Sequence, residues 1–163
     1  MIFKNNIMKN IKRILVAIDN ETSSEEVASG ALQLVEQLHT EVALISVVET
    51  PAVINQADLP IPSYGFNENL TSEMEIEGIL RNNYEGKHKY LIANIFFNHK
   101  VTTFIEEGAP YEAILRIAKE WNADLIVVGT NGRTGLEHLM IGSVAEKVIR
   151  HSEKPVFVIP IKK

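Results

Sequence analysis

The fold is decided by residues 124–160, which have the sequence DLIVVGTNGRTGLEHLMIGSVAEKVIRHSEKPVFVIP. Residues 125–128 are a short apolar run rich in β-branched side chains, which predicts a strand buried on both faces. A second run of this kind, Val156–Ile159, follows Pro155. Between the two strands, an apolar face at helical spacing predicts a helix. That face is formed by Ile141, Ala145, Val148 and Ile149.

A glycine-containing loop connects the first of these strands to the helix. Gly129, Gly132 and Gly135 open it, and glycine can take backbone angles that are closed to other residues. The loop leaves the carboxyl end of a strand, where open α/β sheets bind ligands. Free N–H groups along such a loop and at a helix start can bind phosphate, and Ser143 is predicted to cap the helix. Loop glycines also form simple turns, so both interpretations stay open at this point.

The spacing of these residues resembles the nucleotide-binding motif of the universal stress protein family. Two residues separate Gly129 from Gly132, and nine more precede Gly142-Ser143. The resemblance extends over nearly the whole chain. It includes GSVAEKV at 142–148, KPVFVIP at 154–160 and ILVAID at 14–19.

Length and composition indicate one globular domain. The chain has 163 residues, enough to bury a core, with 45% apolar and 23% charged residues. The absence of cysteine excludes disulfides and thiolate metal sites and fits a cytoplasmic protein. No apolar run approaches the roughly 20 residues of a membrane helix. We expect residues 1–10, which do not resemble a signal peptide, to be a disordered extension, with Met1 or Met8 as the start, and residues 11–163 to form the domain.

The charge is distributed unevenly along the chain. Residues 129–163 carry six Lys/Arg and three Glu, a net +3, so the total of −5 leaves −8 for residues 1–128. A locally basic glycine-loop region suits a small anion, whereas a nucleic acid would need a broad basic face. We therefore expect neither a nucleic acid nor a membrane as a partner.

The remaining chain continues the alternation of strands and helices. Apolar runs predict strands at residues 12–18, 42–48 and 101–105, and helical patterns cover residues 22–38, 71–97 and 110–121. Within these helices, Ser23 and Glu26 have the spacing of a capping box, while Gly78 and Gly86 favour a break or kink. Residues 49–70, rich in Pro and Asn, are predicted to be irregular.

Five strands that alternate with four helices predict an α/β fold, a doubly wound open parallel five-stranded sheet with helices on both faces. The family resemblance implies a Rossmann-like sheet with the strand order 3-2-1-4-5. The chain direction would then switch between the first and fourth strands, which end at Asp19 and Gly129. The resemblance further implies a set of nucleotide-binding residues at this switch point. They are Ala17, Ile18, Asp19, Val47, Val128, Gly129, Asn131, Gly132, Arg133, Gly142, Ser143 and Val144.

The resemblance also implies roles for these residues. Backbone N–H groups of residues 129–132 and 142–144 would hold phosphates, the Ser143 hydroxyl would add a donor, and Arg133 would neutralise charge. Asp19 would bond the ribose or orient a bound cation.

Val47 would border the base. From position alone, Val47 is equally a core valine and Asp19 equally a turn aspartate that caps the next helix. The family often follows this aspartate with Gly-Ser, whereas this chain has Asn20-Glu21.

Other nucleotide and metal motifs are excluded by the sequence. Gly132-Arg133-Thr134 lacks the lysine of a P-loop, no G-x-G-x-x-G dinucleotide motif occurs, and the five histidines form no metal-ligand spacing. His138, within the glycine motif, is a weaker candidate for a phosphate contact.

The resemblance implies a stress-response switch that binds ATP or a related adenine nucleotide, alone or with Mg²⁺, without dedicated catalysis. Two alternatives stay open: a slow ATP hydrolase whose only placed acid is Asp19, and a nucleotide-free interaction module. The resemblance also implies an unidentified protein partner and a homodimer paired through the C-terminal strand, Val156–Ile159.

Overall fold

The computed structural model describes residues 11–49, 73–130 and 141–161. The predicted N-terminal extension, the predicted irregular segment beyond residue 49 and residues 131–140 of the glycine loop lie outside these ranges. Within them, strands and helices alternate along the chain. In order they are β1 (Arg13–Ala17), α1 (Ser24–Leu38), β2 (Glu41–Val48), α2 (Glu73–Asn94), β3 (Val101–Glu107), α3 (Pro110–Glu120), β4 (Leu125–Gly129), α4 (Ser143–His151) and β5 (Val156–Ile159).

The five strands form one parallel sheet with the order β3-β2-β1-β4-β5. The predicted fold class and strand order are therefore confirmed. Val16 of β1 lies between Leu44 of β2 and Val127 of β4, so β1 is the central strand. None of the helices in the described ranges has the length and apolar character needed to span a bilayer.

Helices cover both faces of the sheet and bury the three central residues of β1. Ile14 and Val16 face the layer formed by α1 and α2, where Leu91 and Phe96 complete the packing. Leu15 faces the opposite layer, in which α3 and α4 contribute alanine, valine and isoleucine side chains. This burial on both faces explains why the strands are continuous apolar runs without alternation.

Helix α2 continues through both of its glycines, so the predicted break does not occur. A Cβ at Gly78 or Gly86 would have nothing within 4 Å, which shows that these positions are open on the solvent side. The helix is instead held by its buried side, for example through Leu91. Packing of that side therefore outweighs the low helix propensity of two exposed glycines.

The predicted apolar face of α4 is only half correct. Ala145 and Val148 are buried, but Ile141 is 49% exposed and Ile149 is 42% exposed. Because α4 lies near the edge of the sheet and contacts α3 and β5, it buries a narrow strip. Helical periodicity identified the apolar residues but could not show how wide the covered strip is.

The end of β4 packs against α1 without space for a side chain. A Cβ at Gly129 would lie 2.6 Å from Val27 Cγ2 and 2.8 Å from Ile161 Cδ1. Among the described residues, the glycine with a positive φ is Gly108, at 109°. Gly129 is therefore required for close packing and not, as the sequence suggested, for an unusual backbone angle.

We expect Gly129→Ala to lower the free energy of unfolding by about 1–3 kcal/mol, because its methyl group would overpack the stiff, buried Val27 side chain. Gly86→Ala is the matched control and should raise that free energy by roughly 0.5–1 kcal/mol through helix propensity alone. Urea unfolding measures both. A Gly129→Ala protein as stable as wild type would show that α1 and β4 can separate freely.

Candidate functional site

The candidate site lies at the carboxyl ends of β1 and β4. These neighbouring strands are parallel, with Leu15 opposite Ile126 and Val16 opposite Val127, so both chains leave the sheet at the same edge. The next strands diverge, since β2 lies beside β1 and β5 lies beside β4. A crevice at such a switch point is where open α/β sheets bind ligands.

Asp19 follows β1 and organises the turn into α1. Its Oδ1 accepts a hydrogen bond from the Glu21 N–H at 3.1 Å and lies 2.6 Å from Ser24 Oγ. Ser24 Oγ is also 2.7 Å from the Asp19 carbonyl oxygen, and Ser24 is only 1% exposed. Asp19 therefore has the turn role that its position suggested. Its contact with ribose or a cation stays a prediction.

The same turn shows why the predicted capping box is wrong. Ser23 is the N-cap of α1, but its side chain makes no cap hydrogen bond. Instead its carbonyl accepts from the N–H groups of Glu26 and Val27 at 3.1 and 3.2 Å. The buried hydroxyl of Ser24, which the sequence analysis missed, connects the helix start to Asp19. An aspartate five residues before a serine at a helix start was the available signal.

Thr130, also missed from the sequence, fastens the chain beyond β4 to the chain beyond β5. Its N–H donates to the Ile159 carbonyl at 3.0 Å, and its Oγ1 accepts from the Ile161 N–H at 2.9 Å. These bonds hold the first residue of the glycine loop in the sheet. Asn131, Gly132, Arg133 and His138 lie outside the described residues, so their predicted contacts remain predictions.

The N-cap of helix α4 lies one residue earlier than predicted. The N-cap is Gly142, with extended backbone angles (φ −61°, ψ 154°), and its carbonyl accepts the Glu146 N–H at 2.9 Å. Ser143 is the first helical residue and its side chain is exposed, so the prediction of a Ser143 cap is wrong. A glycine N-cap supplies no side-chain oxygen to the first-turn N–H groups, which carry the positive end of the helix dipole.

The other predicted residues within the described ranges lie on or beside the apolar side chains at the same edge of the sheet. Val47 and Val128 are buried in one cluster on the side of α3 and α4, and Ala17 and Val144 pack against it. Ile18 is buried on the opposite side. Six of the predicted residues thus lie on β1, β2, β4 or the first turn of α4, and Ile18 directly follows β1. The six are Ala17, Val47, Val128, Gly129, Ser143 and Val144.

A buried polar pair lies beneath this edge. Ser46 Oγ donates to the Ile18 carbonyl at 2.7 Å and is 2.8 Å from His88 Nε2. Ser46 and His88 are only 1% and 2% exposed. Burial lowers the pKa of His88 from its ordinary 6.5 to about 4, so the ring is neutral at neutral pH. The serine proton is directed at Ile18, which leaves Nε2–H as the donor to Ser46.

Within residues 11–49, 73–130 and 141–161, no three His, Asp or Glu side chains come together in a group that could hold a metal ion.

Comparison with known proteins identifies the family of this chain. A model of the Universal stress protein family matches residues 10–160. Universal stress protein MJ0531 of Methanocaldococcus jannaschii is 32% identical over 159 residues, which cover 95% of this chain and 88% of that protein. Universal stress protein YxiE of Bacillus subtilis is 31% identical over 153 residues, with 90% and 97% coverage.

Solved structures of universal stress proteins have the same fold. The structure of MJ0577 is 27% identical, has a TM-score of 0.72 and covers 94% of this chain and 98% of its own. A universal stress protein solved in complex with cAMP is 22% identical, has a TM-score of 0.56 and covers 92% and 97%. At that identity the second likeness concerns the fold alone.

We expect the buried His88 to make the protein sensitive to acid. Its pKa is lower in the folded chain, about 4, than in the unfolded chain, about 6.5, so unfolding takes up a proton between these values. The free energy of unfolding should be unaffected by this residue above pH 6.5. It should fall by roughly 2–3 kcal/mol between pH 7 and pH 4.5.

The measurement is urea unfolding at both pH values for the wild type and for Ser46→Ala/His88→Leu, which removes the titrating ring. The double variant should lack that part of the acid loss. Leu91→Val on the same helix is the control: it should lower stability by about 1 kcal/mol equally at both pH values. An equal acid loss in wild type and double variant would contradict the assignment of this loss to His88.

Proposed function

The chain belongs to the universal stress protein family, and on this premise we propose that it binds ATP and acts as a nucleotide-dependent stress-response switch without dedicated catalysis. The observation that carries the proposal is the start of α4. A glycine N-cap there presents first-turn N–H groups near the edge at which β1 and β4 end. Phosphate groups bind favourably at such a helix start.

The phosphate-binding part of the proposed site uses the backbone. N–H groups of Gly129, of residues 131–132 and of residues 142–144 hold the phosphates, whereas the Thr130 N–H is already donated to the Ile159 carbonyl. The exposed Ser143 hydroxyl is an additional donor. Arg133, in the glycine motif, neutralises charge. The described residues fit an anionic ligand, because Gly142 places no side chain in front of the helix start and the Ser143 side chain is exposed.

The base and ribose would lie across the ends of β1 and β2. Val47, with Ala17 and Val128 beside it, provides an apolar surface for an adenine ring. Asp19 is held by Ser24 and by the Glu21 N–H, so its carboxylate has a fixed position toward the ribose or a bound cation. When bound, ATP would supply the negative charge for these contacts. The chain contributes position and hydrogen bonds, and the bound nucleotide biases binding of a protein partner.

Hydrolysis is not part of the proposal. Asp19 Oδ1 already contacts both Ser24 and Glu21, which suits an orienting carboxylate better than a general base. The nucleotide-free alternative predicts no binding at all. Since one universal stress protein of this fold was solved with cAMP, cAMP is the appropriate competing ligand in the same titration.

The proposed assembly is a homodimer paired through β5, the outer strand of the sheet. The chain along β4 forms hydrogen bonds with alternate residues along β5. The Ile126 N–H donates to the carbonyl of Pro155, just before β5, and the N–H of Thr130, just after β4, donates to the carbonyl of Ile159. The intervening Val158 N–H therefore faces the open edge. Phe157 on this strand is 43% exposed, which leaves an apolar side chain at an edge that no other described strand pairs. We place the dimer in the cytoplasm.

We expect Gly142→Val to weaken ATP binding about tenfold or more, because a branched side chain would cover the first-turn N–H groups. The extended angles of Gly142 are open to any residue, so unfolding should become easier by only about 1 kcal/mol. Calorimetric titration of nucleotide-stripped protein, with and without magnesium, measures affinity. Gly86→Ala in α2 is the control and should bind as wild type does. Unchanged affinity in Gly142→Val would overturn the phosphate assignment.

We expect the wild-type chain to sediment as a dimer at micromolar concentration and Val158→Pro to sediment as a monomer. Proline removes the N–H that faces the open edge and leaves the bonds to β4 in place. Val158→Ala, which keeps this N–H, should remain dimeric. A wild-type protein that sediments only as a monomer would refute pairing through β5.

A further inference from the structure

Helix α2 reaches the candidate site through a buried polar contact that the proposed nucleotide roles do not use. His88 lies in α2, Ser46 lies near the end of β2, and the Ile18 carbonyl immediately precedes Asp19. We propose that Ser46 and His88 are positioning residues for the nucleotide site, which hold the Ile18 carbonyl and thereby the Asp19 turn in its binding geometry. This inference rests on the proposed function.

The direction of the hydrogen bonds supports a positioning role. Ser46 has one proton, which it donates to Ile18, so its oxygen must accept the proton of His88 Nε2. A serine hydroxyl could otherwise rotate to another acceptor. The imidazole prevents this rotation, because Nε2–H occupies the serine lone pair and leaves Ile18 as the target of its proton.

The pair is poorly suited to a purely stabilising role. Within the described part of the chain, His88 Nδ1 is buried and has no hydrogen-bond partner. Burying an unpaired polar atom is unfavourable, and an apolar pair of similar shape would fill the same space without this penalty. A constraint on Ile18 gives the polar pair a purpose that packing alone does not.

A second contact connects α2 to the other side of the same turn. Lys87 Nζ lies 3.8 Å from Glu25 Oε1, and Glu25 is in the first turn of α1, beside Ser24. Adjacent residues of α2 therefore reach the chain on both sides of Asp19: His88 reaches Ile18 through Ser46, and Lys87 contacts Glu25 directly. The Lys87 pair is partly exposed and so weaker, which makes the buried Ser46–His88 pair the main constraint.

The experiment compares variants that separate positioning from stability. Ser46→Ala removes the bond to Ile18 and leaves His88 unpaired. Ser46→Ala/His88→Leu removes both polar groups, and His88→Gln retains a donor. Leu91→Val is the control, since Leu91 is buried on the same helix but lies in the apolar core. ATP affinity is measured by calorimetry, stability by urea unfolding, and the Glu21 amide by hydrogen exchange.

We expect ATP affinity to fall roughly fivefold to tenfold in Ser46→Ala and equally in the double variant, a change typical of one net hydrogen bond. The double variant should recover stability relative to Ser46→Ala because it no longer buries an imidazole without a partner. His88→Gln should retain most of the wild-type affinity for ATP. Leu91→Val should lower the free energy of unfolding and leave the ATP affinity unchanged. The Glu21 amide should exchange faster in the first two variants only.

Two results would overturn the inference while leaving the proposed function intact. One is wild-type ATP affinity in the double variant, and the other is a loss of affinity in Leu91→Val as large as that in Ser46→Ala. If the wild type itself binds no ATP, the proposed function fails instead. Hydrogen exchange at Glu21 then decides the inference alone, and equal exchange in Ser46→Ala and wild type would reject it.

Discussion

The pairing of β1 with both β2 and β4 is the constraint on which the rest of this structure depends. β1 is covered on both faces, and Leu15 and Val16 have no exposed surface. A slip of one residue would move each of these side chains into the opposite layer, so the register of the central strand is strongly specified. Because β1 and β4 cannot shift against each other, the two chains that leave them begin at fixed positions. The packing of β1 therefore sets the geometry of the candidate site.

Beyond the ends of the strands, backbone N–H and C=O groups no longer pair with a neighbouring strand. Individual side chains form hydrogen bonds with them instead. Asp19 and Ser24 do so after β1, and Thr130 does so after β4. Ser46 serves the Ile18 carbonyl from below. Buried backbone groups need such partners, and here each partner also restricts a loop that borders the crevice. The polar residues of this edge therefore contribute to the fold and to the site at once.

The sequence predicted the parts of the molecule that depend on local pattern. β5 was placed to the residue, and the other strands within two residues, because runs buried on both faces are distinctive. The strand order came from the family resemblance. Pattern did not reveal that Gly142 rather than Ser143 caps α4, or that Ile149 stays exposed. Cap identity depends on backbone angles set by tertiary packing, and helical periodicity does not tell which apolar residues find a neighbour. The binding roles of the loop residues beyond Thr130 stay predictions.

The two glycines at the ends of the proposed phosphate site carry different structural demands. Gly129 has no room for a Cβ beside Val27 and Ile161, so a substitution there disturbs the contact of β4 with α1 before it disturbs any ligand. Gly142 has extended backbone angles that any residue can adopt. A loss of nucleotide binding on changing Gly129 would therefore not distinguish a ligand contact from altered packing. Gly142 is free of that backbone ambiguity, because its angles do not require a glycine and a side chain there would stand at the start of α4.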